Sequence, residues 1–154
     1  VNNKYDGLNL GSLEEKKSWF NLWKLRNPIL RNCRLKIKYK DVFCQQRRHK
    51  FGISDSSQCE ICGELETVEH QIMNCNNARR MWKVYDKLFG KEIDFKNVIT
   101  VDCNMTEELV KAVIIKLLIQ IDRSRSLSIN HLEYSVSKNA EIKDVIKILI
   151  NDYQ

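Results

Sequence analysis

The chain has 154 residues, 43% apolar and 30% charged, and its 26 Lys and Arg against 20 Asp and Glu leave a net charge of +6. That balance describes about one globular domain with a core of its own and excludes a disordered or fibrous chain. No apolar run reaches the roughly 18 residues of a membrane-crossing helix, because the longest, AVIIKLLIQI, is broken by Lys116, so no membrane partner is expected. The opening VNNKYDGLNLGS is polar and unlike a secretory signal. An intracellular protein of the nucleus or cytoplasm is therefore expected, and Val1 in place of Met suggests a piece of a longer polypeptide.

In chain order, Ser12 to Glu15 (SLEE) forms a capping box, and Trp19, Phe20 and Trp23 follow as an aromatic stripe. Trp19 and Trp23 are expected in the core. Asn27-Pro28 breaks the chain and restarts it, with Pro28 suited to a first helical turn. Leu30, Cys33, Ile37 and Cys44 then keep helical spacing to about residue 48. FGISDSSQ is a loop around Gly52. Thr67 is placed to cap a short helix that carries His70 and ends near Cys75. A further helix, NNARRMWKVYDKLFG, presents Ala78, Met81, Trp82, Tyr85, Leu88 and Phe89 on one face and stops at Gly90.

IDFKNVITVD reads as extended. Thr106 then caps an amphipathic helix carrying Leu109, Val110, Val113, Ile114, Leu117, Leu118 and Ile121. RSRSLS is a turn, and helical pieces around residues 129–135 and 141–152 close the chain. The expected fold is mainly α, a helical domain with a small irregular unit in the middle. Residues 1–58 form a basic helical linker, 59–90 a cysteine unit with its following helix, and 91–154 a helical tail.

The cysteine unit is CEICGELETVEHQIMNC, Cys59 to Cys75, with spacing C-x2-C-x7-H-x4-C. Cys59, Cys62, His70 and Cys75 supply three thiolates and an imidazole, the donor types of a tetrahedral zinc site. Cys33, Cys44 and Cys103 stand apart. In a chain without an export signal, such clustering favours metal over disulfides. A lone C-x-x-C also has the spacing of a redox pair, but that motif usually opens a helix after a strand, and none is evident. Four protein ligands make a closed, structural site with no position for an activated water.

Charge is concentrated upstream of this unit. From Lys24 to Lys50 there are ten Lys or Arg against the single acid Asp41, a local charge of +9, so the rest of the chain sums to −3. Such a segment suits a polyanion. Arg31, Arg34, Lys36, Lys38, Lys40, Arg47, Arg48 and Lys50, with Arg79, Arg80 and Lys83 just past the last cysteine, are the candidate RNA or DNA contacts. His49 joins the same patch. Trp19, Trp23, Tyr39 and Phe43 are interleaved with these charges, where aromatics can stack on unpaired bases, although the core is the favoured place for the two tryptophans. Glu60, Glu64, Glu66 and Glu69 make the cysteine unit acidic, which favours a cation and repels phosphate.

The C-x2-C-x7-H-x4-C pattern followed by NNARRMW resembles the zinc-knuckle region at the C-terminal end of LINE-type (non-LTR) retrotransposon reverse transcriptases. LWKLRNPILRN and RRHKFGISDSSQ look like the basic helical linker that leads to that knuckle, and the likeness covers about residues 19–82. It implies the same four zinc ligands, upstream reverse-transcriptase domains as partners in a larger polypeptide, and a non-catalytic grip on template RNA or target DNA. No YxDD polymerase motif occurs here. Glu141-Ile142-Lys143 gives an E-x-K, but no Pro-Asp precedes it, so it reads as a solvated helix start, and no catalytic residue is assigned. The competing expectations are a protein-interaction module, docked through the Leu109–Ile121 stripe, and a decayed or host-adopted remnant. His131 reads as a surface residue.

Overall fold

The computed structural model describes residues 21–101 and 104–119. The Ser12 capping box, Trp19, Phe20, Cys103, Ile121, the RSRSLS turn, His131, the E-x-K and both C-terminal helical pieces lie outside the described residues. The described elements are α1 (Pro28–Lys38), α2 (Gln45–Lys50), a π-helical turn (His70–Asn74), α3 (Asn76–Phe89), α4 (Phe95–Ile99) and α5 (Met105–Ile119). Among the described residues there is no strand, only one isolated bridge between Gln58 and Leu65. The chain is mainly helical, with the cysteine-rich irregular unit in the middle.

Side-chain caps explain where several helices begin. Asn27 accepts from the amides of Ile29 and Leu30 at 2.9 and 3.3 Å, and Pro28 occupies the first helical position of α1. Asp94 accepts from Asn97 N at 2.8 Å, so the segment expected to be extended winds into α4 instead. Asn104, not Thr106, caps α5, accepting from Glu107 N at 3.3 Å.

Helix α1 stops ten residues earlier than its apolar spacing suggests. Lys40 takes φ +52°, its amide bonds Ile37 O, and Asp41 N returns to Lys36 O at 2.7 Å. This is a Schellman cap with a lysine in the left-handed position where glycine is usual. Cys44 therefore sits in the following loop, buried, rather than on the helix.

The core centres on α5, which packs against α1, α3 and the π turn. Val113, Ile114, Ile115 and Leu117 are completely buried. Each contributes roughly 1.5–3 kcal/mol by leaving water. Buried residues from all parts of the described chain, Leu22 to Leu118, join one cluster, and Cys59 and Cys75 belong to it. Among the described residues no helix is long and apolar enough to cross a membrane.

Inside this core lies a set of charges. Arg34 on α1 is 3% exposed and Glu108 on α5 is fully buried, with Arg34 Nε 3.3 Å from Glu108 Oε2. Arg34 Nη2 donates to Thr100 O at 2.8 Å, and Nη1 donates to Val98 O. Lys111, 4% exposed, donates to Glu108 Oε1 at 3.1 Å and to Asn97 O at 3.3 Å. Burial pulls the Arg34 guanidinium below its usual range, and Glu108 opposes that shift. The triad fastens α1 and the α4 segment to α5. Arg34 is thus a core cation and leaves the set of candidate phosphate contacts.

Trp23 departs from expectation in the other direction. It is 69% exposed, with the Arg31 guanidinium 5.4 Å from its ring centroid, while Leu22 and Leu25 take the buried positions on that segment.

Removing the one acid of the buried triad strands two cations in the core, which typically costs about 3–5 kcal/mol. Glu108→Ala should lower urea-unfolding stability by about that much, and a change within about 0.5 kcal/mol, the scale of an ordinary surface substitution, contradicts this account.

Candidate metal centre

The four donors come from two local structures. The first is a turn at Cys59–Gly63. Cys59 N donates to Glu64 O at 2.6 Å, and Gly63 N returns to Cys59 O at 2.9 Å. Gly63 has φ +75°, and a Cβ built there would meet nothing within 4 Å, so backbone conformation rather than space calls for glycine. Ile61 N points at Cys59 Sγ, 3.4 Å away. The turn thus brings both thiols to one side and aims an amide at one of them.

The second is the π-helical turn. Thr67 Oγ1 accepts from His70 N at 3.1 Å and caps the entry, as its position suggests. Residues five apart align in a π turn but not in an α-helix. Cys75 N bonds His70 O at 2.7 Å, which closes that ring and stacks the two ligand residues. Trp82 Nε1 on α3 donates to Ile72 O at 2.6 Å, and Gln71 Nε2 donates to Leu118 O on α5 at 3.0 Å. These bonds fix the π turn to the core.

The outcome is a cluster. One ligand atom from each of Cys59, Cys62, His70 and Cys75 lies within 4.8 Å of all the others. Cys59 Sγ is 3.7 Å from Cys75 Sγ, and Cys62 Sγ is 3.0 Å from His70 Nε2. An ion with metal–sulfur bonds of about 2.3 Å in a tetrahedron holds two sulfurs about 3.8 Å apart, so the Cys59–Cys75 spacing fits. Three cysteines and a histidine within this distance suggest a metal ion. His70 Nδ1 faces the Glu64 carboxylate at 3.6 Å, the kind of outer partner that orients a ligating imidazole through its other nitrogen.

The same unit holds the basic helix. Glu66, 6% exposed, accepts from Gln45 N through Oε1 at 2.9 Å. Its carbonyl accepts from Gln46 N at 3.1 Å. Cys44, the N-cap residue of α2, makes no side-chain cap bond. A carboxylate 21 residues away caps α2 instead. Gln45 Nε2 adds a 3.3 Å bond to Glu60. In the sequence Glu66 is only one of four acids round the motif. Its role follows from the bridge between Gln58 and Leu65 and from Glu66 N to Ser57 O, which turn the segment back toward α2.

The candidate phosphate contacts divide. Lys36, Lys40, Lys50, Arg79 and Lys83 are exposed; Arg31, Lys38, Arg47, Arg48 and Arg80 are half-buried; Arg34 is buried. Arg47, Arg48 and Lys50 share α2. Arg47 also pairs with Asp41 at 2.6 Å. Arg79 and Lys83 line a cleft with Asp86 and Glu92, so their charge there is locally balanced. The basic character is therefore strongest on α1 and α2. Cys33 and Cys44 are buried unpaired thiols away from the cluster, and burial raises the Cys33 pKa. No family model, curated protein or solved structure matches the chain.

Burial, with Cys75 adding to it, pushes the metal-free Cys59 thiol up to about 12 against lowering by the Cys62 and Ile61 backbone amides. A metal must displace that proton, so affinity rises with pH, by at least about tenfold per pH unit near neutrality. A metal titration from pH 6 to 8 should show this slope, and a flat profile would exclude Cys59 as a ligand.

Proposed function

We propose that the chain is a non-catalytic zinc-binding module that grips nucleic acid, of the kind found at the C-terminal end of LINE-type reverse transcriptases. Three thiolates and an imidazole favour zinc over the hard cations, which take oxygen donors. With all four positions filled by protein, the ion has a structural role. The knuckle itself is acidic at its surface, through Glu60, Glu64 and Glu69, and does not hold phosphate. The polynucleotide backbone lies on α1, the cap that ends it and α2, where Lys36, Lys40 and Lys50 are exposed.

The observation that carries this reading is the Glu66 link. The helix with Arg47, Arg48, His49 and Lys50 in succession is capped by a residue between two ligands of the metal cluster. Zinc orders the turn that places Glu66, and Glu66 places the basic helix. In a longer polypeptide the upstream reverse-transcriptase domains supply the chemistry, and this module holds template RNA or target DNA.

A protein-docking reading loses its original surface. Val110, Val113, Ile114, Leu117 and Leu118 close a local core and do not stand open. What favours docking is the pair Ile61 and Leu65 on the knuckle, 39% and 50% exposed.

Replacing Lys36, Lys40 and Lys50 together by Ala should weaken binding to single-stranded RNA and duplex DNA alike. It should also flatten the log K against log[salt] slope by about two to three, since each lost phosphate contact removes roughly 0.7–0.9. Unchanged affinity and slope would count against the nucleic-acid reading and leave the docking one.

A further inference from the structure

Helix α2 ends on a rigid cap that displays apolar side chains. Phe51 N bonds Arg47 O at 3.1 Å, Gly52 N bonds His49 O at 3.0 Å, and Ile53 N bonds Arg48 O at 2.9 Å. With Gly52 at φ +73°, this is a Schellman motif. His49 Nδ1 lies 3.1 Å from Ser54 O and ties the loop back to the helix. A Schellman motif ordinarily hides an apolar residue against the last turn. Here that turn residue is Arg48, and Ile53 remains 57% exposed while Phe51 is 59% exposed.

The Phe51 ring is not randomly placed. It lies parallel to Phe43, with centroids 6.1 Å apart and planes 5° apart. The Arg47 guanidinium is 5.3 Å from the Phe43 centroid and 5.8 Å from that of Phe51. Asp41 holds the same guanidinium at 2.6 Å. An exposed aromatic ring, fixed by backbone bonds and backed by a second ring, sits beside Arg48, His49 and Lys50. Its neighbours are cationic, so its apolar face is suited to an anionic polymer with flat apolar parts. An unpaired nucleotide has that chemistry, whereas a duplex keeps its base faces covered.

We propose that Phe51, supported by Phe43 and Arg47, is a stacking platform for an unpaired base, and that this makes the module prefer single-stranded nucleic acid. The proposal rests on the nucleic-acid reading above and adds to it the form of the ligand. Nothing in the sequence alone singles out Phe51 and Ile53 as site residues. The signal available was two large apolar residues on either side of a glycine directly after Arg-Arg-His-Lys.

The test uses the full zinc-loaded chain with a 12-nucleotide oligo(dT) carrying one 2-aminopurine, and a 12-base-pair duplex. Because Phe51 is mostly exposed, Phe51→Ala and Phe51→Leu should fold as the parent does. The expected result is a loss of between about 5- and 150-fold on the single strand for both variants, the range of one base–aromatic stack. Duplex affinity and the salt slope should stay unchanged, Phe51→Trp should restore binding, and the parent should quench the 2-aminopurine. Equal losses on both polymers, no loss on either, or an unquenched probe in the complex would overturn the platform and leave the phosphate grip standing. If the parent chain binds neither oligonucleotide, the nucleic-acid reading fails and the platform fails with it.

Discussion

Four donor atoms on two short segments have to converge within 4.8 Å of one another, and much of the polar wiring between residues 44 and 82 follows from that constraint. Cys59 and Cys62 converge because Gly63 accepts a left-handed backbone. His70 and Cys75 converge because the helix is locally widened to a π turn. A widened turn leaves backbone groups out of register; Trp82 reaches in from α3 to bond the carbonyl of Ile72, and Gln71 reaches out from the turn to the carbonyl of Leu118 on α5. Two of the donors, Cys59 and Cys75, are themselves core residues. A metal at this place is continuous with the hydrophobic interior and would not be an ornament on a loop.

Charge plays opposite parts on the two sides of α1. Arg34 faces inward and is satisfied by Glu108 and two carbonyls. Removing a partner from such a set costs several kcal/mol, whereas an exposed ion pair is worth about 1 kcal/mol or less. Lys36, two residues and so about half a turn further along the same helix, is exposed, and its charge is available to a ligand. The same sequence run therefore supplies both a structural clamp and a binding face. Counting +9 over residues 24–50 cannot separate them, because the separation depends on which side of the helix meets α5.

That limit describes how much of the molecule was legible in the sequence. The candidate metal cluster was, because cysteine and histidine at those spacings have few other uses. The start of α1 at Asn27-Pro28 and the end of α3 at Gly90 were too, because those residues have strong positional preferences. The end of α1 was hidden, since Lys40 takes the place of the glycine that would announce it. Helix α5 reads as amphipathic, yet Glu107, Glu108 and Lys111 are buried with its apolar residues. Their burial depends on partners 74 positions away, such as Arg34, and on Tyr85, whose hydroxyl reaches Glu107 at 3.4 Å. The Glu66 cap was hidden for the same reason. A glutamate among four is distinguished only by the hairpin-like return that brings it to Gln45.

The central claim is that the metal centre orders the basic helix through the Glu66 carboxylate. Amide hydrogen exchange at Gln45 and Gln46, followed in the zinc-loaded chain and after chelation, tests it most directly. The account predicts that both amides are protected with zinc and lose that protection on chelation, while amides in the middle of α5, such as Ile114 and Ile115, stay protected. Equal protection of Gln45 and Gln46 in the two states would contradict it, because the basic helix would then be held without the metal.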